Sequence, residues 1–229
     1  MFELLIKYLQ EIGIDLADEK ILFKAFIHRS YLNEHRDLKL ESNERLEFLG
    51  DSVLSLVVSD HLYTTFPELP EGVLTNYRSS VVKTQSLAKA ALEAHLGQYL
   101  HMAKGETDSG GKENPSLLAD TYEALLGLIY LNLGIEKARL FVHKTLLFQL
   151  DEIISSGSFR DYKSLFQEIV QEKHRISPLY TVVNTFGPDH AKEFEIEVRV
   201  NDMVYASGKG KSKQEAEQMA AKAALDAWS

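Results

Sequence analysis

The chain has 229 residues, 45% of them hydrophobic and 26% charged, no cysteine, and a formal net charge of −9. That balance is globular, and the missing cysteine excludes disulfides, thiolate zinc sites and a cysteine nucleophile while fitting a reducing cytoplasm. The longest nearly uncharged apolar run, Ala124 to Gly134, falls short of the ~20 residues a bilayer span needs, so no membrane partner is expected.

Residues 1–151 carry 15 Lys and Arg against 22 Asp and Glu, and residues 152–229 carry 10 against 12. Neither part is basic. A polyanionic partner would therefore require local basic patches, or metal ions that turn acidic clusters into cation sites.

The opening MFELLIKYLQE reads as a first helix and not as a signal peptide, because Glu3 precedes any positive residue and no small-residue cleavage site follows. From Phe2 to Leu150 apolar residues recur every three or four positions, which predicts helices and no strand. Breaks are expected at Gly13, across residues 34–42, at Pro67 with Pro70, and across residues 104–115, a Gly/Ser/Lys/Glu stretch expected to be a mobile loop. His28-Arg29-Ser30 holds a histidine and a serine, but no GxSxG elbow accompanies them, and a packed, capping role is expected.

The stretch NERLEFLGDSVL from Asn43 is the first with chemical content. In a helix, Glu44, Glu47 and Asp51 fall within about 60° of arc, opposite Leu46, Leu49 and Val53. The face is either an ordinary solvated one or half of a cation site. Glu71 follows Pro70 at a helix start and by itself reads as a first-turn acid. The segment PSLLADTYEALLGLIYLNLG predicts an apolar helix from near Ser116 to Gly134, with Asp120 and Glu123 on one face. Carboxylates in such a setting are costly unless paired or metal-bound, the alternative being that both cap the helix start. Five acids shared between two helices, without cysteine or paired histidines, would select a hard cation, Mg²⁺ or Mn²⁺, the usual equipment for phosphoryl chemistry. IEKARLFVHKTLLFQLDEII predicts one further helix, and SSGSF from Ser155 a linker.

Beyond the linker the period changes. A helix over Tyr162–Lys173, strands over Leu179–Thr185, Glu193–Val200 and Met203–Ser207, and a helix capped by Ser212 and running through Ala224 make a compact α-β-β-β-α module. GKGKS from Gly208 lacks the first glycine of a Walker loop, since that position is Tyr205, so no nucleotide cofactor is expected. Lys209, Lys211 and Lys213 instead cluster at a strand end and helix start, a setting suited to backbone phosphates, although such clusters are often merely solvated.

Two motifs in order, NERLEFLGDSVL and LADTYEALLG from Leu118, resemble bacterial ribonuclease III. The stretches DYKSLFQE, GPDHAKEF and GKGKSKQEAEQMAA resemble a double-stranded-RNA-binding domain. The resemblance covers the whole chain. It implies a multidomain protein: an all-α endonuclease domain over residues 1–151, a linker over 152–160, and a small α+β binding domain over 161–229. It further implies that Glu47, Asp120 and Glu123 ligate the metal, that Asp51 and Glu123 are the catalytic pair, and that Glu44 and Glu71 line the same cleft. Phe48 would be a contact of a homodimer. In the binding domain, Gln167 and Glu168 match minor-groove contacts of the first helix, and Pro188 and His190 a second minor-groove contact. Lys211 and Lys213, with Lys209 beside them, match phosphate contacts on A-form duplex. One departure is Gln214, where the family usually has a second consecutive lysine. The function so implied is Mg²⁺-dependent hydrolysis of double-stranded RNA to 5′-phosphate and 3′-hydroxyl ends, in ribosomal and other RNA processing. A duplex-binding regulator without catalysis and a small-substrate phosphohydrolase are the alternatives.

Overall fold

Glycine and alanine at a few positions decide how closely the helices of this chain approach their neighbours, and so where its acids come to lie. The computed structural model describes residues 1–150, 162–188, 192–201 and 203–228. The chain divides into two compact units, Met1–Phe159 and Arg160–Ser229. The expected linker falls outside the described residues.

The first unit is helical: α1 (Glu3–Glu11), α2 (Glu19–Phe23), α3 (Arg29–Glu34), α4 (Glu44–Thr65), α5 (Glu71–Val81), α6 (Thr84–Glu93), α7 (Lys104–Asp108), α8 (Pro115–Leu133) and α9 (Ile135–Thr145). Its one β feature among the described residues is an isolated parallel bridge between Ile27 and His101. Helix α8 is central, with α4, α6 and α9 packed around it. The cause is visible in its sequence: Leu118, Tyr122, Leu125, Leu126 and Ile129 are all fully buried, as are Leu54, Val57 and Val58 of α4. Truncating one of these leucines to alanine would cost about 2–5 kcal/mol. Asn114 starts α8, its Oδ1 accepting from the backbone N–H of Ser116 at 2.9 Å, and Pro115 occupies the first turn, where no N–H is needed.

Two expectations for this unit require correction. Residues 104–115 are not a mobile loop; they hold α7 and a 3-10 turn at Gly111–Glu113. Their order comes from partners distant in sequence: Ser30 Oγ accepts from the Ala103 N–H at 2.9 Å, and the Glu34 carboxylate accepts from the Lys104 N–H at 3.2 Å. Nor does one helix run on from Ile135. It ends at Thr145, and Leu146 leaves helical geometry with φ −130° before a 3-10 turn at Leu147–Gln149. Thr145 Oγ1 donates to the Phe141 carbonyl at 2.7 Å and accepts from the buried Tyr122 hydroxyl at 2.7 Å, tying the end of α9 to α8.

The second unit follows the expected order: α10 (Tyr162–His174), β1 (Leu179–Phe186), β2 (Glu193–Val200), β3 (Met203–Gly210) and α11 (Lys213–Ala227). The three strands form an antiparallel sheet in sequence order. Alternation in EFEIEVRV sends Ile196, Val198 and Val200 to the core, where they meet Phe166 and Val170 of α10 and Ala216, Ala220, Ala221 and Ala224 of α11. The third strand runs three residues beyond expectation because Gly208 and Gly210 continue it under α11. A Cβ on Gly208 would overlap the Ala220 amide, and one on Gly210 would sit 2.6 Å from the Ala216 nitrogen. The glycines of GKGKS therefore serve helix-on-strand packing.

Among the described residues no helix is long and apolar enough to cross a membrane.

Candidate functional site

Helices α4 and α8 cross at two glycines. A Cβ on Gly50 would overlap the Glu123 carbonyl, and one on Gly127 would overlap the Leu46 carbonyl, so the helix backbones themselves are in contact. The acidic residues one and two turns away are then brought face to face. Carboxylate oxygens of Glu47, Asp120 and Glu123 all lie within 4.8 Å of one another, each side chain being half-buried. Asp120 and Glu123 stand well beyond the first turn of α8, whose cap is Asn114, so the alternative that both are capping acids does not hold.

Like charges at this spacing, partly removed from water, favour protons. Burial pushes the Glu123 carboxyl up to about 8, assisted by the charges of Asp51, Glu47 and Asp120. Glu47 is raised by burial and then by Asp120, Glu44 and Asp51, with Arg29 acting in the opposite sense. Burial also raises Asp120, while His28 lowers it. A trio that would otherwise hold protons at such cost is well matched to a hard cation with oxygen ligands at about 2.0–2.6 Å. The donor set fits a metal, and among the described residues these three form a group that could hold one.

Glu47 and Asp120 line a cleft of about 360 Å³ with His28, Arg29, Asn43, Glu44, Leu100, Leu117 and Thr121. Asn43 anchors the start of α4 there: it is buried, its Nδ2 donates to the Ala25 carbonyl at 3.1 Å, and its backbone N–H donates to the Ile27 carbonyl at 2.8 Å. Glu44 is exposed, accepts from Ser42 Oγ at 2.8 Å and pairs with Arg29 at 3.7 Å. Asp51 is exposed next to the trio and acts on Glu123 and Glu47 through its charge. Glu71 is elsewhere in this chain. It lines a separate groove of about 400 Å³ with Leu56, Asp60, Tyr63, Leu74 and Arg78, and accepts from Thr75 Oγ1 at 2.9 Å. Phe48 is 79% exposed on α4, in line with the exposed Leu56 and Tyr63. The capping role expected for His28-Arg29-Ser30 holds in that His28 caps α3, yet His28 and Arg29 also form cleft wall, which neighbouring residues in sequence could not reveal.

In the second unit Gln167 and Glu168 are exposed on α10, and Pro188 is exposed after β1. His190 lies outside the described residues. Lys211 and Lys213 are exposed at the start of α11, where Ser212 Oγ accepts from the Glu215 N–H at 3.1 Å and the Glu215 carboxylate accepts from the Lys211 N–H at 2.7 Å. Lys209 leans over the Phe186 ring and pairs with Glu195 at 3.6 Å.

Residues 18–150 match the family model described as ribonuclease-III-like, and residues 162–227 match the double-stranded RNA binding motif. The chain belongs to the ribonuclease III family. Ribonuclease 3 of Borreliella burgdorferi is 45% identical over 96% of this chain and 90% of its own, and that of Pelotomaculum thermopropionicum is 47% identical over 93% and 89%. Among solved structures, the nuclease domain of ribonuclease III from Campylobacter jejuni, described with a flexible region involved in dimer formation, is 36% identical. It covers 65% of this chain and 97% of its own at a TM-score of 0.58. This ribonuclease III is accordingly an endonuclease of double-stranded RNA, with its nuclease domain in the helical unit and its duplex-binding motif in the α-β-β-β-α unit.

Proposed function

We propose that this ribonuclease III hydrolyses phosphodiesters of duplex RNA with Mg²⁺, Mn²⁺ being an alternative, held by Glu47, Asp120 and Glu123, and leaves 5′-phosphate and 3′-hydroxyl ends. The observation that carries the proposal is the trio of half-buried carboxylates within 4.8 Å, with Glu123 pushed up to about 8. A magnesium ion bound there would activate water and neutralise charge on the phosphate oxygens. Asp51 and Glu123 are the pair assigned to proton handling, as the family resemblance implies, and Asp51 is the foremost of the charges that raise Glu123. Glu44 serves as a further cleft acid. Glu71 faces its own groove and contributes to a cleft only if another chain brings one to it.

The second unit holds the duplex. Gln167, Glu168, Pro188 and His190 are assigned to minor-groove contacts, and Lys209, Lys211 and Lys213 to phosphates, recognising the shape of A-form RNA with little reading of sequence. The exposed stripe of Phe48, Leu56 and Tyr63 on α4 supports a homodimer, for which the family resemblance also speaks. Work in a reducing cytoplasm, on ribosomal and other transcripts, is in keeping with a cysteine-free chain of this family.

Long duplex RNA with Mg²⁺ tests the reading. Wild type should cut it and Glu123→Ala should not, with every new end carrying 5′-phosphate. Equal cleavage by both proteins would overturn the metal site, and 2′,3′-cyclic phosphate ends would overturn the hydrolytic mechanism.

A further inference from the structure

The cleft beside the carboxylates has a second wall to which none of the roles above is assigned. The Ser30 N–H donates to His28 Nδ1 at 3.3 Å, and Ser30 Oγ, which accepts from Ala103, lies 2.7 Å from the same nitrogen. Nδ1 thus accepts from the Ser30 backbone, and the serine hydroxyl is within hydrogen-bond distance of the same nitrogen. This network fixes the start of α3 and with it Arg29, the first residue of that helix, at the cleft.

Among the described residues lining the cleft, Arg29 alone carries a permanent positive charge, facing Glu44, Glu47 and Asp120. Arg29 pairs with Glu44 at 3.7 Å, with its own side chain 75% exposed. An ion pair of that length between exposed groups contributes little and exchanges readily. Glu44 would keep Ser42 Oγ, at 2.8 Å, if Arg29 left. An RNA backbone entering this cleft brings a negative phosphate toward three carboxylates, and a guanidinium fork matches two phosphate oxygens in a way an ammonium group does not.

We propose that Arg29 exchanges Glu44 for a backbone phosphate of the duplex beside the scissile bond, and so positions the substrate in the cleft. The proposal rests on the assignment of Glu47, Asp120 and Glu123 as the catalytic centre.

The test uses the full chain, Mg²⁺ and a short duplex whose cut position has been mapped with the wild type. Neutral methylphosphonate linkages are introduced one at a time around that position. Arg29→Ala should raise KM about tenfold with kcat nearly retained, and lower the salt slope of binding by about one. Its melting temperature should be unchanged, and Arg29→Lys should fall between. One methylphosphonate position should weaken the wild type and leave Arg29→Ala unaffected. Unchanged KM and salt slope in Arg29→Ala, or methylphosphonate penalties identical in both proteins, would overturn the contact. So would a lowered melting temperature with all penalties retained, since Arg29 would then act only on the fold. Glu123→Ala run in parallel separates the two failures: cleavage by it at the wild-type rate overturns the catalytic centre itself, and the Arg29 contact with it.

Discussion

The crossing of α4 on α8 and the seating of α11 on β3 use the same device for opposite ends. In each, two glycines remove the side chains that would hold backbones apart: Gly50 and Gly127 in the nuclease domain, Gly208 and Gly210 in the duplex-binding unit. In the first, the close approach forces carboxylates together and partly out of water, so that Glu123 is pushed up to about 8. In the second, it sinks an alanine face into the core and leaves Lys211 and Lys213 in solvent. Chemistry at phosphorus needs charges that are confined and poised, whereas a grip on a polyanion needs charges that remain hydrated and mobile.

The largest break should come at the helix crossing. Gly50→Ala places a methyl group against the Glu123 carbonyl, which cannot move without shifting α8, at a cost on the order of 3 kcal/mol. Cleavage of duplex RNA should fall at least about a hundredfold, while duplex binding by the second unit is retained; a melting curve and a gel-shift assay read the two effects separately. The mirror experiment is Gly208→Ala. It should destabilise the second unit by roughly 1–3 kcal/mol and weaken duplex binding, leaving metal-dependent features of the nuclease domain intact.

A subtler test sharpens the electrostatic half of the contrast. In metal-free protein, Glu123 binds its proton more tightly when folded than when unfolded, where the ordinary value of 4.5 applies. Its contribution to stability is therefore fully present below about 4.5 and is lost as pH rises through about 8. Glu47 and Asp120, also raised, act with the same sign. The melting temperature of the nuclease domain in chelator should fall between pH 5 and pH 8. Glu123→Gln should flatten that fall and melt higher at the alkaline end, and Mg²⁺ should restore the wild type. A slope unaffected by the substitution would refute the burial argument.

The smallest effect is expected on the hydrated side. Gln214, exposed beside Lys213, should become one more phosphate contact in Gln214→Lys, tightening binding on every duplex sequence and steepening the salt dependence by about one unit. Unchanged affinity and salt slope would show that the position is not at the RNA.

Much of this was legible in the sequence because it depends on local periodicity. The acid face of α4, the pairing of Asp120 with Glu123, the strict alternation of EFEIEVRV and the Ser212 cap all express spacings within one element. What was not legible depends on partners far away in the chain. Residues 104–115 read as a loop because Ser30 and Glu34, which order them, lie 73 and 70 positions from Ala103 and Lys104. Gly50 and Gly127 look like ordinary helix weaknesses until the crossing gives each a backbone to touch. The separation of Glu71 from Glu47 within one chain likewise follows from where α5 is placed, a matter on which its first-turn position is silent.

Asn43 carries a consequence for the order in which this enzyme becomes complete. Its buried amide and backbone join the start of α4 to Ala25 and Ile27, and Ile27 is bridged in turn to His101. Three stretches, around Ala25, Asn43 and His101, must therefore close their loops on one another before Glu47 has a fixed position. A chain still emerging from the ribosome holds every acid of α4 but no assembled cleft. The acids of α4 are thus made first and become a site only once the segment at His101 and helix α8 have joined them.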